Sequence, residues 1–175
     1  MNGFAGKGVK STKIPGRAAR LAALSWLTVL LWTAPQPVWA ASAQACNPND
    51  PEQVRLQVSV SGMHTTKGDI AITIYPDEPS HFLDGAYKLA RQHVAVTLPV
   101  TRACFAFSAP GYYAVALFGD ENGNGHFDTN FLGVPIEGYG FSKNPTLYFG
   151  PPKLRQVRFA AHRGDNAVAV EMKYY

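Results

Sequence analysis

Hydrophobic and polar residues alternate along much of the chain. Val54, Leu56, Val58 and Val60 interleave with Arg55, Gln57, Ser59 and Ser61. This period of two predicts a strand with one buried face. Gly68 opens a second run, with Ile70, Ile72 and Ile74 between Ala71, Thr73 and Tyr75, stopped by Pro76 and Pro79 because proline cannot donate to a ladder. Within 77–93, Phe82, Ala86 and Leu89 have helical spacing, which Gly85 weakens. Val94, Val96 and Leu98 mark a third strand and Cys104–Ser108 a fourth, before a Pro110-Gly111 turn. Tyr112–Phe118 is apolar on both faces, the mark of a central strand. Arg155–Ala161 and Ala167–Tyr174 complete the set, with Val168, Val170, Met172 and Tyr174 as an inward stripe and Arg163-Gly164-Asp165-Asn166 as the hairpin turn between them. About seven short strands predict an all-β chain, an antiparallel β-sandwich of immunoglobulin or transthyretin-like type, with a small closed barrel as the alternative.

Residues 119–153 interrupt this rhythm. They are rich in Gly, Pro, Asn and aromatics, and a loop longer than about 12–15 residues is usually functional or disordered. Phe131, Leu132, Val134, Ile136, Tyr139, Phe141, Leu147, Tyr148 and Phe149 give it apolar surface worth burying, so the expectation is a folded lid across one end of the sandwich. Phe131, Tyr139, Phe141 and Tyr148 are its candidate ligand-facing residues. Aromatics that merely plug the sandwich mouth are the competing reading.

Composition changes the picture at the N-terminus. The 175 residues carry a formal charge of +4, with 16 basic and 12 acidic side chains. Lys7, Lys10, Lys13, Arg17 and Arg20 all precede residue 41, where no acid stands, so 41–175 hold 11 basic against 12 acidic groups, net −1. That removes the basic surface expected of a nucleic-acid binder. The apolar run Leu21–Trp32 follows the basic residues, and small residues follow it. This is the pattern of a secretory signal over 1–40, with cleavage near 40/41 or 43/44, because a run of about 12 residues is short of the ~20 that span a bilayer. A linker over 41–53 and one domain over 54–175 remain, with no further membrane span. Export to the periplasm or cell exterior allows Cys46 and Cys104 to pair; two free buried thiols are the alternative.

The sharpest chemical signal is Asp120-Glu-Asn122-Gly-Asn124-Gly125-His126-Phe-Asp128. Oxygen-bearing side chains fall at relative positions 1, 3, 5 and 9, with glycine at 6, as in the first nine positions of a calcium loop. Calcium needs six to eight hard oxygens, and alternate residues of a tight loop aim them inward. His126 would offer its backbone carbonyl. Phe131 occupies position 12, where an EF-hand has Glu, and no helix flanks the loop, so further ligands would come from Glu137, Asn130 or water. Glu137 has a second reading as a partner of Lys143. An Asn/Gly-rich turn without metal fits the same residues.

The stretch from Pro110 to Gly125, continuing through Phe127-Asp-Thr-Asn-Phe-Leu-Gly-Val-Pro-Ile-Glu-Gly-Tyr-Gly-Phe-Ser142 and Gly150-Pro-Pro152, resembles the bacterial domain of unknown function 2141 family. Members pair a PGxYAV strand with a DxNxNGxxDxNxxGxPxEGxGFS block and a later GPP. Leu117-Phe118-Gly119 stands where many members carry a histidine. The resemblance implies a secreted, single-domain β-sandwich of Gram-negative bacteria and implies no activity.

Enzyme signatures are sparse. There is no GxSxG elbow and no HExxH, and the five histidines are scattered. The residues therefore favour a non-enzymatic, calcium-holding module with a structural or interaction role in the cell envelope, its partner an envelope protein or a glycan. A carbohydrate- or peptide-binding protein using 131–152 is one alternative, and a small hydrolase using Asp120 and Glu137 is another.

Overall fold

A computed structural model describes Cys46, Asp50 and residues 52–148 and 150–175. The expected signal segment, most of the linker and Phe149 lie outside the described residues. Among the described residues, eight strands form two sheets: β1 (Val54–Ser61), β2 (Asp69–Pro76), β3 (Ala90–Ala95), β4 (Val100–Phe107), β5 (Gly111–Asp120), β6 (Tyr139–Phe141), β7 (Phe159–Ala161) and β8 (Gly164–Glu171). The first sheet runs β4-β1-β8. The second runs β3-β2-β5-β6, and β7 pairs with the early part of β5. Among the described residues, no helix is long and apolar enough to cross a membrane.

The alternating residues do what their period requires. Val54, Leu56, Val58 and Val60 of β1 meet Ile70, Ile72 and Ile74 of β2 in one core, with Phe105, Val115 and Val170. Two sheets thus bury their facing sides against each other, which is the chief source of stability for strands of this length. Cys46 and Cys104 form a disulfide that ties the segment before β1 to β4.

Four expectations change. Strand pairing is antiparallel except between β1 and β8, which are parallel. Arg163–Asn166 is no hairpin turn: Gly164–Asn166 open β8, and His162 and Arg163 carry the chain from β7, which joins β5 in one sheet, to β8, which joins β1 in the other. Arg155–Val157 belongs to a single helical turn, α1 (Leu154–Val157), whose buried Leu154 and Val157 are spaced for a helix rather than a strand. The segment after β5 also contains β6, a strand too short and glycine-rich to show a period.

Strand β5 is buried on both faces, as its sequence predicts. Its inner residues Val115 and Leu117 join the core. Its outer residues are covered by Leu154, Val157 and Phe82 near Ala114 and by the long segment after Asp120. That segment therefore lies against the outer face of the second sheet, not across one end of the sandwich. Two glycines make the closure possible. A Cβ on Gly138 would lie 2.6 Å from the Tyr174 ring, and one on Gly140 2.6 Å from a Val170 methyl. Their inner faces let β6 press directly on the end of β8. Ser142, fully buried, locks the next residues: its Oγ donates to Val157 O at 2.7 Å and accepts from Val115 N at 2.9 Å.

Candidate cation site and the cavity beside it

Asp120 ends β5 and opens the acidic loop. It is 2% exposed, and its two oxygens accept the backbone amides of Asn124 (3.0 Å) and Gly125 (2.8 Å). Gly125 can turn the chain here because it adopts φ 76°, a region open to glycine without strain. The Asn122 side-chain Oδ1 accepts from Asn124 N and the Asn124 side-chain Oδ1 from His126 N, at 3.0 and 2.8 Å. Their amide nitrogens both donate to one oxygen of Asp128, at 2.7 and 2.8 Å. The loop is thus wound around its own side chains by the Asx-type hydrogen bonds of an Asn/Gly-rich turn.

Glu137 closes the set from the far side of the segment. Asp128 N donates to its Oε2 at 2.9 Å, and Ile136 N donates to Asp128 O at 3.1 Å. The carboxyl is 6% exposed, and Oε1 is buried without a hydrogen-bond partner. Burial pushes its pKa above the ordinary range; the backbone amides of Asp128 and Glu121 oppose this, and the charges of Asp128 and Asp120 add to it. Lys143 makes no ion pair with it. Asp120, Asn122, Asn124, His126, Asp128 and Glu137 therefore come together, His126 through its backbone. Asn130 does not join them: its side chain accepts from Leu132 N and Val134 N in its own turn.

The fold adds two neighbours that sequence spacing does not show. Asp69 pairs in register with Asp120 across β2 and β5, and His93 Nδ1 lies 2.9 Å from Asp69 Oδ1. Asp69, His93 and Asp120 bring ligand atoms within 4.8 Å of one another, a possible metal-binding group. Only the strand register connects these residues, so no local motif could have announced them.

The outer face of the second sheet continues from this end into a cavity of about 720 Å³. Its floor follows from the register. Arg91, Thr73, Ala116 and Phe141 stand in one row across β3, β2, β5 and β6. Beside them runs the row His93, Ala71, Phe118 and Tyr139. Small residues at the centre and rings at the margin make a depression, walled by Phe127, Leu132, Val134 and Tyr148. Of the four aromatic residues singled out in the sequence, Tyr139, Phe141 and Tyr148 line it. Phe131 does not: it is 95% exposed and stands outside the lining. Burial and the neighbouring Tyr175 hydroxyl push the Tyr139 phenol up to about 12, so this wall stays uncharged.

Two facing sheets, one core and an acidic loop leaving the end of the central strand define a small β-rich domain with a loop-covered outer face. The chain belongs to the family described as "Uncharacterized protein conserved in bacteria (DUF2141)", which matches residues 58–169. The match runs from within β1 to within β8 and includes the acidic loop and all of the cavity lining but Tyr175, in agreement with the resemblance read from the sequence. No curated protein and no solved structure matches the chain.

Proposed function

We propose that the chain is a non-catalytic, exported β-sandwich module of immunoglobulin or transthyretin-like kind whose acidic loop holds a calcium ion. One observation carries the metal: the buried Glu137 carboxylate leaves an oxygen unpaired beside Asp120 and Asp128. Burying a charge without a partner is costly, and among the described residues no lysine or arginine pairs with any of these three groups. A cation supplies the missing compensation. The Asp120, Asn122 and Asn124 oxygens each keep a second lone pair, and Asp128 would offer the oxygen that Asn122 and Asn124 do not share. The donors are hard oxygens, which suits calcium better than zinc or copper. His93 and Asp69 would support Asp120 from behind, the former as a hydrogen-bonding neighbour of Asp69.

In this reading the ion is structural. It fastens the start of the segment to its later part through Asp128 and Glu137, and the segment covers the sheet. The disulfide and the charge distribution support export, with an envelope protein or a glycan as partner. The test is thermal melting of the exported chain, residues 41–175, in chelator and in millimolar calcium and magnesium. Calcium should raise the melting temperature and magnesium should not. An unchanged temperature in calcium removes the metal.

A further inference from the structure

We infer that the cavity on the outer face of the second sheet binds a small apolar molecule carrying a single carboxylate, with Arg91 receiving the carboxylate. This stands apart from the calcium reading, because neither the floor of the cavity nor Arg91 belongs to the acidic loop.

A volume of about 720 Å³ lies within the range of small-molecule sites, about 300–1,000 Å³. Such sites combine mostly apolar walls with a few convergent polar groups, and this one fits. Phe118, Phe127, Tyr139, Phe141 and Tyr148 supply rings from four separate stretches of chain. Among the described residues, the only charged side chain on the lining is Arg91.

Arg91 is held in place without being neutralised. Its Nε donates to Thr73 Oγ1 at 2.8 Å, and its guanidinium lies 5.8 Å from the centre of the Phe118 ring. Arg55, Arg158 and Arg163 each meet a carboxylate. Arg91 meets none among the described residues, although it is half-buried. Its Nε donates to Thr73, and the Tyr75 hydroxyl is a second hydrogen-bonding neighbour; both are neutral, so the charge stays open to a carboxylate, which a guanidinium binds through two parallel hydrogen bonds. A neutral glycan would leave that charge unanswered and would find few hydroxyl partners on walls of Phe, Leu and Val. The apolar body could be an alkyl chain or an aromatic ring system, since the rings accept either.

The test is calorimetric titration of residues 41–175, in calcium and again in chelator. The probes are decanoate and 2-naphthylacetate, with decanol and 2-naphthylacetamide as uncharged counterparts and cellotriose as a glycan. The carboxylates should bind, and the better of the two tells alkyl from aryl. Arg91→Gln should weaken carboxylate binding by about 10- to 100-fold, the range for a hydrogen-bonded charge, and leave the uncharged probes nearly unchanged. Ala116→Leu, which fills the floor, should abolish binding of all of them. Melting curves establish that each variant is folded, and Tyr148→Phe serves as a second wall variant should Ala116→Leu fail to fold; it should retain binding of the apolar body. Equal binding of acids and uncharged counterparts, unaltered binding by a folded Ala116→Leu, preference for cellotriose, or no binding at millimolar probe would each overturn the inference. Loss of binding in chelator alone would leave Arg91 as the head-group site and show that the ion holds the wall. Loss of the calcium effect on melting, with carboxylate binding intact, would refute only the metal.

Discussion

Replacing Glu137 by glutamine separates the charge of that side chain from its shape. The Glu137→Gln side chain would keep a carbonyl oxygen for the Asp128 amide and remove a buried negative charge beside Asp120 and Asp128. In chelator this is relief: an unpaired buried group costs about 1–3 kcal/mol, so the variant should be more stable than the native chain by that order. In calcium the native chain recovers. At about 5 mM calcium and a Kd near 0.5 mM, within the range of weak extracellular sites, binding adds about 1.4 kcal/mol. For a domain of roughly 120 residues, 1 kcal/mol moves the melting temperature by about 4 °C. Glu137→Gln should therefore melt about 4–12 °C above the native chain in chelator, and calcium should raise the native chain by about 6 °C and the variant by much less. Differential scanning calorimetry in both buffers measures all four temperatures. A variant less stable than the native chain in chelator would mean that the carboxylate is already compensated within the protein, and the argument for a cation would fall. An equal response of both chains to calcium would place any bound ion elsewhere.

Further outcomes follow from residues around the site. Gly138→Ala should destabilise by about 1–3 kcal/mol through overpacking against Tyr174 and Met172; urea denaturation measures it, and a shift below about 0.5 kcal/mol would show that β6 and β8 separate easily. Ser142→Ala should cost about 1–3 kcal/mol, since it strands the buried Val157 carbonyl and Val115 amide; a neutral result in the same assay would show that water replaces the hydroxyl. Reducing Cys46–Cys104, separated by 58 residues, should cost about 4 kcal/mol on the chain-entropy account. Melting with and without reductant, with thiol counting, checks it, and an unchanged melting temperature after complete reduction would show that the bond does not constrain the unfolded chain.

What could be read from the sequence depended on how local the information is. Strands β1, β2 and β5 announce themselves because each carries its own period or its own double-sided burial. Glu137 stands out by its apolar neighbours, and the acidic loop by its spacing. Strand β6 hides behind Gly138 and Gly140, whose missing side chains serve packing against β8 and erase any alternation. Arg163–Asn166 misleads because its Gly, Asp and Asn have the composition of a tight turn, yet Gly164–Asn166 begin a strand paired with β1. Arg91 and the cavity were invisible for a different reason. Arg91, Thr73, Ala116 and Phe141 come from four strands, and their row exists only once three registers are set.

The parallel pairing of β1 with β8 also governs when the fold can be completed. Val54 stands opposite Gly164 in that pair, so the first strand among the described residues waits for the last. Strand β4 can protect one side of β1 earlier, but the other side offers open backbone groups until residues 164–171 arrive. An open edge is a template for pairing with other chains, and contacts this distant in sequence form slowly. The growing chain therefore passes through a stage in which a strand with four core valines and leucines is half-paired. Any truncation before β8 would hold it in that aggregation-prone stage.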